Sequence, residues 1–370
     1  MNNTDNKARV IGIYLPQYHP FPENDEWWGK GFTEWVNVAS AKPLFNGHYQ
    51  PQIPGELGFY DLRIPEVREQ QAALAREAGI EGFCYWHYWF GNGKRLMEMP
   101  FNEVVNSGNP DFPFCLAWAN HSWYAKTWDN NKKDKLLIEQ KYDDVAGIKD
   151  HFMTLLPAFK DKRYIRIDDR PVFMVFKPLQ VKNIKLFIDT WNKLAVENGL
   201  KGVYFVGQCS RGEIKEVLAS GYDAVNHEEV NSIHAMQSSF TRALKQLMIR
   251  VLQRPRCYDY AKAMKTMLIE EDRQDNVFPT LCSNFDHTPR SGVRGLVLTN
   301  SSPKAFYKHI KETLSYVKDK EYDKRVMFVK SWNEWGEGNY MEPDRKFGKS
   351  YIEAMRKALD EFSKGFINKV

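Results

Sequence analysis

The chain of 370 residues is rich in apolar and aromatic residues, and 43% of it is hydrophobic. That share is enough to bury a sizeable core, and it excludes a disordered, collagenous or coiled-coil protein. No segment approaches the roughly 20 consecutive apolar residues of a membrane-spanning helix, and residues 1–9 do not resemble a signal sequence, so we expect a soluble, cytoplasmic protein.

Charge and cysteine content narrow the class of protein further. The 52 basic and 47 acidic residues leave a net charge of +5 that is spread along the chain, so the composition does not indicate a nucleic-acid partner. The five cysteines are odd in number, scattered and without a metal-type spacing such as CxxC. We therefore expect reduced thiols and no structural zinc site, while the oligomeric state stays open.

Eight short apolar runs alternate with amphipathic segments along the chain. The runs lack polar alternation, which is typical of parallel strands buried on both faces, and the segments between them have apolar residues at helical spacing. This order predicts an α/β fold, a single (β/α)8 TIM barrel that occupies residues 1–370. The alternative is a doubly wound open sheet, but no GxGxxG or Walker loop follows any run. The predicted strands are 9–15, 82–86, 112–118, 172–176, 203–207, 222–225, 277–282 and 325–330, and the predicted helices include 65–78, 144–159, 184–198, 302–317 and 350–362.

The first loop at the carboxyl ends of these strands is unusually long. It covers residues 16–64, whereas unstructured connections beyond roughly 12–15 residues are usually functional. One interpretation is a folded cover with a small core of its own. The other is a substrate-binding surface that includes Tyr14, Gln17, Glu34 and Trp35. A carboxylate beside an indole suits a sugar, because the carboxylate binds hydroxyl groups and the indole stacks on the apolar face.

The ends of the second and third predicted strands carry aromatic residues interleaved with imidazole and amide groups. Residues 85–90 read YWHYWF and residues 118–124 read WANHSWY. Such platforms favour carbohydrate binding, although an isolated histidine is more often structural than catalytic. The residues expected to contact substrate here are Trp86, His87, Asn120 and Trp123.

The strongest motif follows the eighth predicted strand, where residues 330–344 read KSWNEWGEGNYMEPD. The Cα atoms of Glu334 and Glu337 lie within about 10 Å even in an extended chain, and a turn through Gly336 brings them closer. Glycoside chemistry requires such a pair, in which one carboxyl protonates the leaving oxygen and the other acts as base or nucleophile. The alternative is that one glutamate forms a structural ion pair. The neighbouring residues expected to bind substrate are Trp332, Asn333, Trp335 and Glu342.

Four runs of sequence carry a resemblance to a known family. They are Tyr14–Pro20, Asn24–Asn37, Gly82–Phe90 and Ser331–Gly338. Together they closely resemble the WbsX-like polysaccharide-biosynthesis family, which is similar in turn to glycoside hydrolase family 99, the endo-α-mannosidases. The resemblance extends from about Arg9 to Phe362.

The resemblance implies a TIM barrel that acts on an α-linked glycan without a metal or nucleotide cofactor. It also implies roles for the two glutamates. Glu334 would deprotonate the sugar's own 2-hydroxyl, which attacks the anomeric carbon to give an anhydro-sugar intermediate. Glu337 would act first as general acid and then as base, with retention of configuration.

Two segments depart from what the resemblance leads us to expect. Histidine and serine follow Asn120 where the family often has Glu-Asn, and residues 284–290 read NFDHTPR where WDNTPR is usual. Asp286 and Arg290 are kept, and we expect both to contact substrate. The departures leave the carboxylate pair untouched and bear on sugar specificity.

A helical insertion is expected after strand six, at about residues 235–270. Within it, residues 240–265 carry seven basic residues against one acidic residue, and apolar residues fall at helical spacing, so we predict a basic amphipathic helix. We favour an insertion packed on the barrel with a solvated charged face. A peripheral contact with a membrane surface is the alternative.

Three functions remain open at this stage. The first, which we favour, is a retaining glycoside hydrolase or transglycosidase acting on an oligosaccharide or polysaccharide. The second is a glycosyltransferase in lipopolysaccharide, O-antigen or capsule assembly, and the third is a non-catalytic glycan-binding barrel. Ten of the eleven tryptophans lie at or after the ends of predicted strands one, two, three and eight, which suggests that they line a sugar-binding cleft.

Overall fold

Eight parallel strands pair into a closed barrel in the computed structural model, which describes residues 7–125, 134–142 and 144–367. The first strand pairs with both the second and the last, and this closes the barrel. The predicted TIM barrel is therefore confirmed. The barrel strands are β1 Arg9–Tyr14, β2 Gly82–Trp89, β3 Phe114–Trp118, β4 Arg170–Val175, β5 Tyr204–Cys209, β6 Ala224–His227, β7 Val277–Cys282 and β8 Val326–Lys330.

Helices cover the barrel, and their ends follow ordinary capping chemistry. The side chain of Ser302 accepts a hydrogen bond from the amide of Ala305, and that of Asp144 does the same for Gly147. The helices are α1 Pro22–Trp28, α2 Glu34–Ser40, α3 Pro65–Ala78, α4 Met99–Ser107, α5 Val145–Phe159, α6 Ile184–Glu197, α7 Ile214–Ala219, α8 Ser239–Leu252, α9 Tyr260–Met267, α10 Thr288–Ser291, α11 Pro303–Val317 and α12 Ser350–Ile367.

Short accessory strands pair with barrel strands or with one another. A hairpin at the end of β8 is the most relevant one, because it carries the predicted catalytic pair. The accessory pairs are Arg95–Leu96 with β2, Trp123–Ala125 with Lys135–Ile138, Arg166–Ile167 with β4, Arg256–Asp259 with Leu296–Thr299, and Asn333–Glu334 with Asn339–Tyr340.

The barrel strands are buried because helices cover their outer faces. Trp191 of α6 is fully buried and packs against Phe173 of β4 and Phe205 of β5, with ring centroids 4.7 and 5.9 Å apart. Burial of a side chain such as Phe173 contributes roughly 1.5–3 kcal/mol. Continuous apolar runs are thus explained by two-sided burial of parallel strands.

The long first loop contains α1 and α2, but it does not have a separate core. Tyr18, Trp35, Val38 and Leu62 are buried in the same cluster as the strands and helices of the barrel. The expectation of a cover with its own small core is therefore wrong. The cover is anchored on the main core, because 50 residues between β1 and α3 supply enough aromatic surface to continue it.

The predicted basic helix is two helices with a short strand between them. Arg256–Asp259 follows Pro255 and pairs with Leu296–Thr299, so the chain leaves α8 before α9 begins. Only α9 packs as we expected, through Tyr260, Met264 and Met267, whereas α8 has no buried residue. The preference for a helix packed on the barrel is therefore wrong for α8. In the described parts of the chain, no helix combines the length and hydrophobicity that a bilayer crossing needs.

Candidate active site

The two predicted catalytic glutamates lie on the hairpin that follows β8, at the carboxyl ends of the barrel strands. Glu334 ends the first strand of the hairpin, and Glu337 ends a single 3-10 turn, Trp335–Glu337, that connects it to the second strand. Their side chains are 12% and 16% exposed. This end of a TIM barrel is where its active sites form.

One guanidinium brings the two carboxylates together. Nη1 of Arg290 donates hydrogen bonds to Oε1 of Glu334 at 3.1 Å and to Oε1 of Glu337 at 2.8 Å. Its Nε donates to Oε1 of Glu34 at 2.7 Å. Arg290 comes from α10 after β7, and Glu34 begins α2 in the first loop. Three parts of the chain that are distant in sequence thus meet at one side chain.

The backbone at Gly336 permits this convergence. A Cβ atom built there would lie 2.0 Å from Oε1 of Glu34 and 2.9 Å from Nε of Arg290. Contacts this short do not occur between unbonded atoms, so a side chain at this position would displace the ion pair. Glycine is required here for close approach.

Burial and neighbouring charges shift the pKa values of Glu334 and Lys330. Burial raises the pKa of Glu334, and the carboxylate of Glu337 raises it further, against the opposite effects of Arg290 and Lys330. Burial opposes the charged form of Lys330, but the nearby carboxylates, Glu228 first, outweigh it and raise the pKa of the ammonium. The site therefore holds several acids and two permanent cations in a confined space, where one carboxyl retains a proton more readily than in water.

Asp286 supports the catalytic hairpin from the side. Its backbone amide donates to the carbonyl of Glu337 at 2.6 Å. Its buried carboxylate accepts from Nε2 of His48 and from Nε2 of Gln50, each at 2.7 Å, and from the Thr288 hydroxyl at 2.6 Å. The contacts join the first loop, α10 and the hairpin, and the predicted direct contact with substrate stays a prediction.

Comparison with known proteins assigns this chain to a family. The family model described as glycosyltransferase WbsX matches residues 10–355. The chain belongs to the WbsX glycosyltransferase family.

Relatives and solved structures are also similar to this chain. The WxcX proteins of two Xanthomonas campestris pv. campestris strains, B100 and ATCC 33913, are 34% identical over 358 residues, which is 95% of this chain and 50% of theirs. The chain therefore spans about half the length of these relatives. The fold is shared with a glycoside hydrolase-like protein (TM-score 0.59, 13% identity, 95% of this chain and 94% of that one). It is also shared with a family GH99 endo-α-mannosidase from Bacteroides thetaiotaomicron (TM-score 0.56, 14% identity, 98% and 99% covered).

A cavity of this WbsX-family chain lies beside Glu228, whose carboxylate contacts Lys330. Its volume is about 240 Å³, and it lies at the carboxyl ends of β4, β5 and β6. Glu228 lines it and faces Nζ of Lys330 at 3.4 Å. Polar lining groups include Gln208, Ser210 and Asn231, and Phe176 adds an aromatic face. Such a mixture of hydroxyl, amide, carboxylate and ring suits a polyol.

Several groups around the pair were not foreseen from the sequence. The hydroxyl of Ser331 donates to Oε2 of Glu334 at 3.2 Å. Nε2 of His287 lies 3.7 Å from Oε1 of Glu337, and burial followed by the charge of Arg290 lowers the pKa of this imidazole to about 4. Burial raises the pKa of Tyr88, and Glu334 is the next contributor, which puts this ring beside the pair. Lys330 and Ser331 are the first two residues of the 330–344 motif, so their place in that motif was the available signal.

The tryptophans are placed differently from our expectation of a cleft lining. Five of the ten rim tryptophans are buried, and Trp332 is 0% exposed. Trp335 stacks on Tyr340 with centroids 3.7 Å apart, and Nε1 of Trp35 donates to the carbonyl of Tyr60 at 2.7 Å. These indoles form the layer beneath the site, so the cleft interpretation is wrong for them. The buried five are Trp35, Trp89, Trp118, Trp332 and Trp335; Trp27, Trp86 and Trp123 are half-buried, Trp28 is exposed, and Trp128 lies outside the described residues.

Glu342 is buried under the hairpin and does not reach the surface. It accepts hydrogen bonds from Nε1 of Trp335 at 2.7 Å, from Nε2 of Gln71 at 2.6 Å and from the Tyr60 hydroxyl at 2.9 Å. Burial raises its pKa to about 7, although these hydrogen bonds favour the ionised form. The hydroxyl of Tyr14 donates to the same Gln71. In this structure, Tyr14 and Glu342 hold the hairpin against α3 instead of facing a ligand.

The remaining predicted residues divide between structural and accessible positions. The side chain of Asn333 bonds both backbone groups of Leu15, and that of Asn120 bonds both backbone groups of Lys177. His87 is buried against His151, and burial lowers the pKa of its ring. Half-buried side chains that remain within reach of a ligand are Gln17, Trp86 and Trp123; Trp86 packs edge-on against Phe176 of the cavity.

Proposed function

We propose that this protein cleaves or transfers an α-linked bacterial surface glycan with retention of configuration, using Glu334 and Glu337. The observation that carries the proposal is that both carboxylates share one nitrogen of Arg290 at the carboxyl end of the barrel. A structural ion pair would need only one of the two. The family's description as glycosyltransferase and the shared fold with glycoside hydrolases both support a carbohydrate substrate.

The spacing of the pair supports retention. Because both Oε1 atoms contact the same nitrogen, they lie at most about 6 Å apart, which is below the roughly 6.5–9.5 Å of inverting pairs. An inverting enzyme needs the larger gap to hold a water molecule opposite the leaving group. We therefore favour a two-step reaction.

The proposed first step forms an internal bond in the sugar. Glu334 takes the proton of the 2-hydroxyl, and O2 attacks the anomeric carbon as the glycosidic bond breaks. Glu337 gives its proton to the departing oxygen. In the second step Glu337 removes a proton from water or from an acceptor hydroxyl, which opens the anhydro ring, and Glu334 returns its proton to O2. The proton count of the protein is unchanged after one cycle.

The electrostatics of the site suit this exchange. Burial and the carboxylate of Glu337 raise the pKa of Glu334, which makes Glu334 a stronger base than an exposed glutamate. The first step needs Glu334 ionised and Glu337 protonated. Arg290 and Lys330 limit the repulsion when both groups are ionised.

We propose that one sugar ring of the substrate occupies the cavity at the carboxyl ends of β4, β5 and β6. Glu228 and Gln208 would bind ring hydroxyls there, and Phe176 with Trp86 would contact an apolar face. Glu228 also contacts Lys330, so occupancy of the cavity is coupled to the charge beside Glu334.

The second candidate is transfer from a nucleotide sugar, which the family description favours. Two assays separate the candidates. Surface polysaccharides are incubated with the protein, with and without nucleotide sugars, and fragments and free nucleotide are measured. The proposal predicts fragments or exchanged glycans without nucleotide, whereas release of nucleotide only with a donor sugar would favour the second candidate.

The dependence of the turnover rate on the leaving group tests the proposed roles of Glu337 as acid and Glu334 as base. An aryl glycoside whose phenolate departs without protonation should bypass Glu337, so Glu337→Gln should keep most of its rate on this substrate and Glu334→Gln should not. Equal losses in both variants would overturn the assignment of acid and base. The matched control is Glu270→Gln, which alters an exposed carboxylate.

A further inference from the structure

Helix α8 exposes an apolar stripe made of Phe240, Leu244, Leu247 and Val251. These side chains are 78%, 45%, 55% and 67% exposed. They follow one another at intervals of four, three and four residues, so at 3.6 residues per turn they fall within an arc of about 60°. The stripe is therefore one continuous face, not scattered surface residues.

The fold gives this stripe no covering. No residue of Ser239–Leu252 is buried, whereas the following helix α9 buries Tyr260, Met264 and Met267. A hydrophobic face that contributes nothing to the core is unfavourable in water unless a partner covers it. Contiguous exposed apolar surface of this kind marks an interaction site.

The charge around the stripe identifies the partner. Residues 230–258 contain five basic residues and no acidic residue. By helical geometry Arg250 lies about 90° from the centre of the stripe on one side, and Lys245 lies about 130° on the other, with its ammonium over the ring of Tyr258. Arg242 lies on the opposite face of the helix. Large aliphatic and aromatic side chains are buried favourably only in an apolar environment, and the neighbouring cations favour a partner that carries negative charge. A surface of anionic lipid offers both, whereas a polyanion in water leaves the stripe exposed. The basic residues are Arg242, Lys245, Arg250, Arg254 and Arg256.

The helix lies at the catalytic end of the barrel. It follows the carboxyl end of β6, and the guanidinium of Arg254 sits over the ring of Phe45 in the first loop at 5.2 Å. Phe45 stacks on His48, which bonds Asp286 beside the carboxylate pair. A lipid surface bound by α8 therefore adjoins the rim that carries the site.

We infer that α8 binds the surface of an anionic membrane, with the apolar stripe inserted among the acyl chains and the basic residues at the headgroups. The binding is interfacial, and it does not depend on glycan turnover. If the proposed function holds as well, the protein would work on glycans held close to a bilayer.

The test is sedimentation of the full chain with vesicles of phosphatidylglycerol and phosphatidylcholine, compared with phosphatidylcholine alone. We expect binding to the anionic vesicles that weakens with salt, and a partition coefficient at least about tenfold lower for Leu247→Glu with Val251→Glu. Val196→Glu on α6 is the matched control, because Val196 is 63% exposed and lies outside the stripe.

Three results would overturn the inference. They are no binding by the parent, equal binding by the stripe variant, and binding to neutral vesicles as strong as to anionic ones. A lipid-free dimer that the stripe variant dissociates would assign the stripe to a second copy of the chain instead. Thermal melting of both variants verifies that the fold is kept. No glycan is present, so failure here leaves the proposed function untouched.

Discussion

Glu34 and Arg290, which are 256 residues apart in sequence, form a 2.7 Å charge-assisted hydrogen bond between Oε1 and Nε. Nη1 of the same guanidinium is thereby turned toward Glu334 and Glu337. The first loop thus takes part in the candidate site by orienting the group that contacts the proposed catalytic pair.

The orientation of Arg290 predicts that lysine cannot replace it. Arg290→Lys keeps the positive charge but loses the planar fork that reaches Glu34 and the pair together. We expect the kcat of glycan turnover to fall about 100-fold, while the melting temperature changes little. Arg63→Lys, at an exposed ion pair with Asp61, is the control and should keep full activity. Activity of Arg290→Lys within a few-fold of the parent would contradict the role of the fork.

The close approach at Gly336 predicts a steric effect on the same network. In Gly336→Ala, the methyl group overlaps the carboxylate of Glu34, so we expect about 1–3 kcal/mol of destabilisation and a loss of turnover. Because the overlap involves Glu34, adding Glu34→Ala should cost far less stability than the sum of the single changes. Denaturant unfolding of the four proteins of this cycle measures the coupling. Gly365→Ala, in α12 where a Cβ meets nothing within 4 Å, should be neutral or slightly stabilising, and simple additivity in the cycle would refute the steric account.

The buried carboxyl of Glu342 predicts a pH dependence of stability. Burial raises its pKa to about 7 from an ordinary value near 4.5. Between these pH values the folded protein keeps a proton that the unfolded chain has lost, so the free energy of unfolding falls as pH rises, by about 3 kcal/mol in total. Glu342→Gln does not titrate. The free energies of unfolding of parent and variant are measured with urea from pH 4 to pH 8. Their difference should change by that amount over this range, and a constant difference would contradict the assignment.

A second buried group predicts a fall in stability at higher pH. Burial lowers the pKa of His227, but hydrogen bonds to Asp272 and Glu229 outweigh this effect and raise it to about 9. The stabilising charge is fully present below pH 6.5 and is lost as pH rises to about 9, which corresponds to about 3 kcal/mol. His227→Gln should be less stable at pH 6 and should lose this dependence. Unfolding curves of both proteins at pH 6 and pH 10 measure this change in the free energy of unfolding. An equal decrease in the variant would assign the pH dependence to other groups.

The sequence predicted the barrel and the convergence of its main chemical groups. Apolar runs bounded by helical segments indicate two-sided burial, and the carboxyl ends of parallel strands meet, so Glu334, Glu337 and Glu34 could be expected at the same end of the barrel. Arg290 was expected there from the family resemblance. Their positions in the sequence do not reveal that the guanidinium of Arg290 contacts all three glutamates.

The burial of individual side chains could not be predicted in the same way. Trp332 and Trp335 lie at the rim in sequence but point into the layer beneath it, because packing against Phe83 and Tyr340 decides their direction. The break between α8 and α9 was missed although Pro255 is a local signal for it, because proline inside a helix removes a hydrogen bond and kinks or ends the helix. Helical spacing alone also cannot distinguish a face that packs on the barrel from one that remains uncovered.

The central claim is that Glu334 and Glu337 together carry out glycan turnover. The most direct measurement is the initial rate of fragment release from a polysaccharide that the parent cleaves, for Glu334→Gln and Glu337→Gln, alongside glycan binding by calorimetry. We predict that each variant loses at least about a thousandfold in rate while folding and glycan binding are retained. Full activity in either variant would contradict the claim.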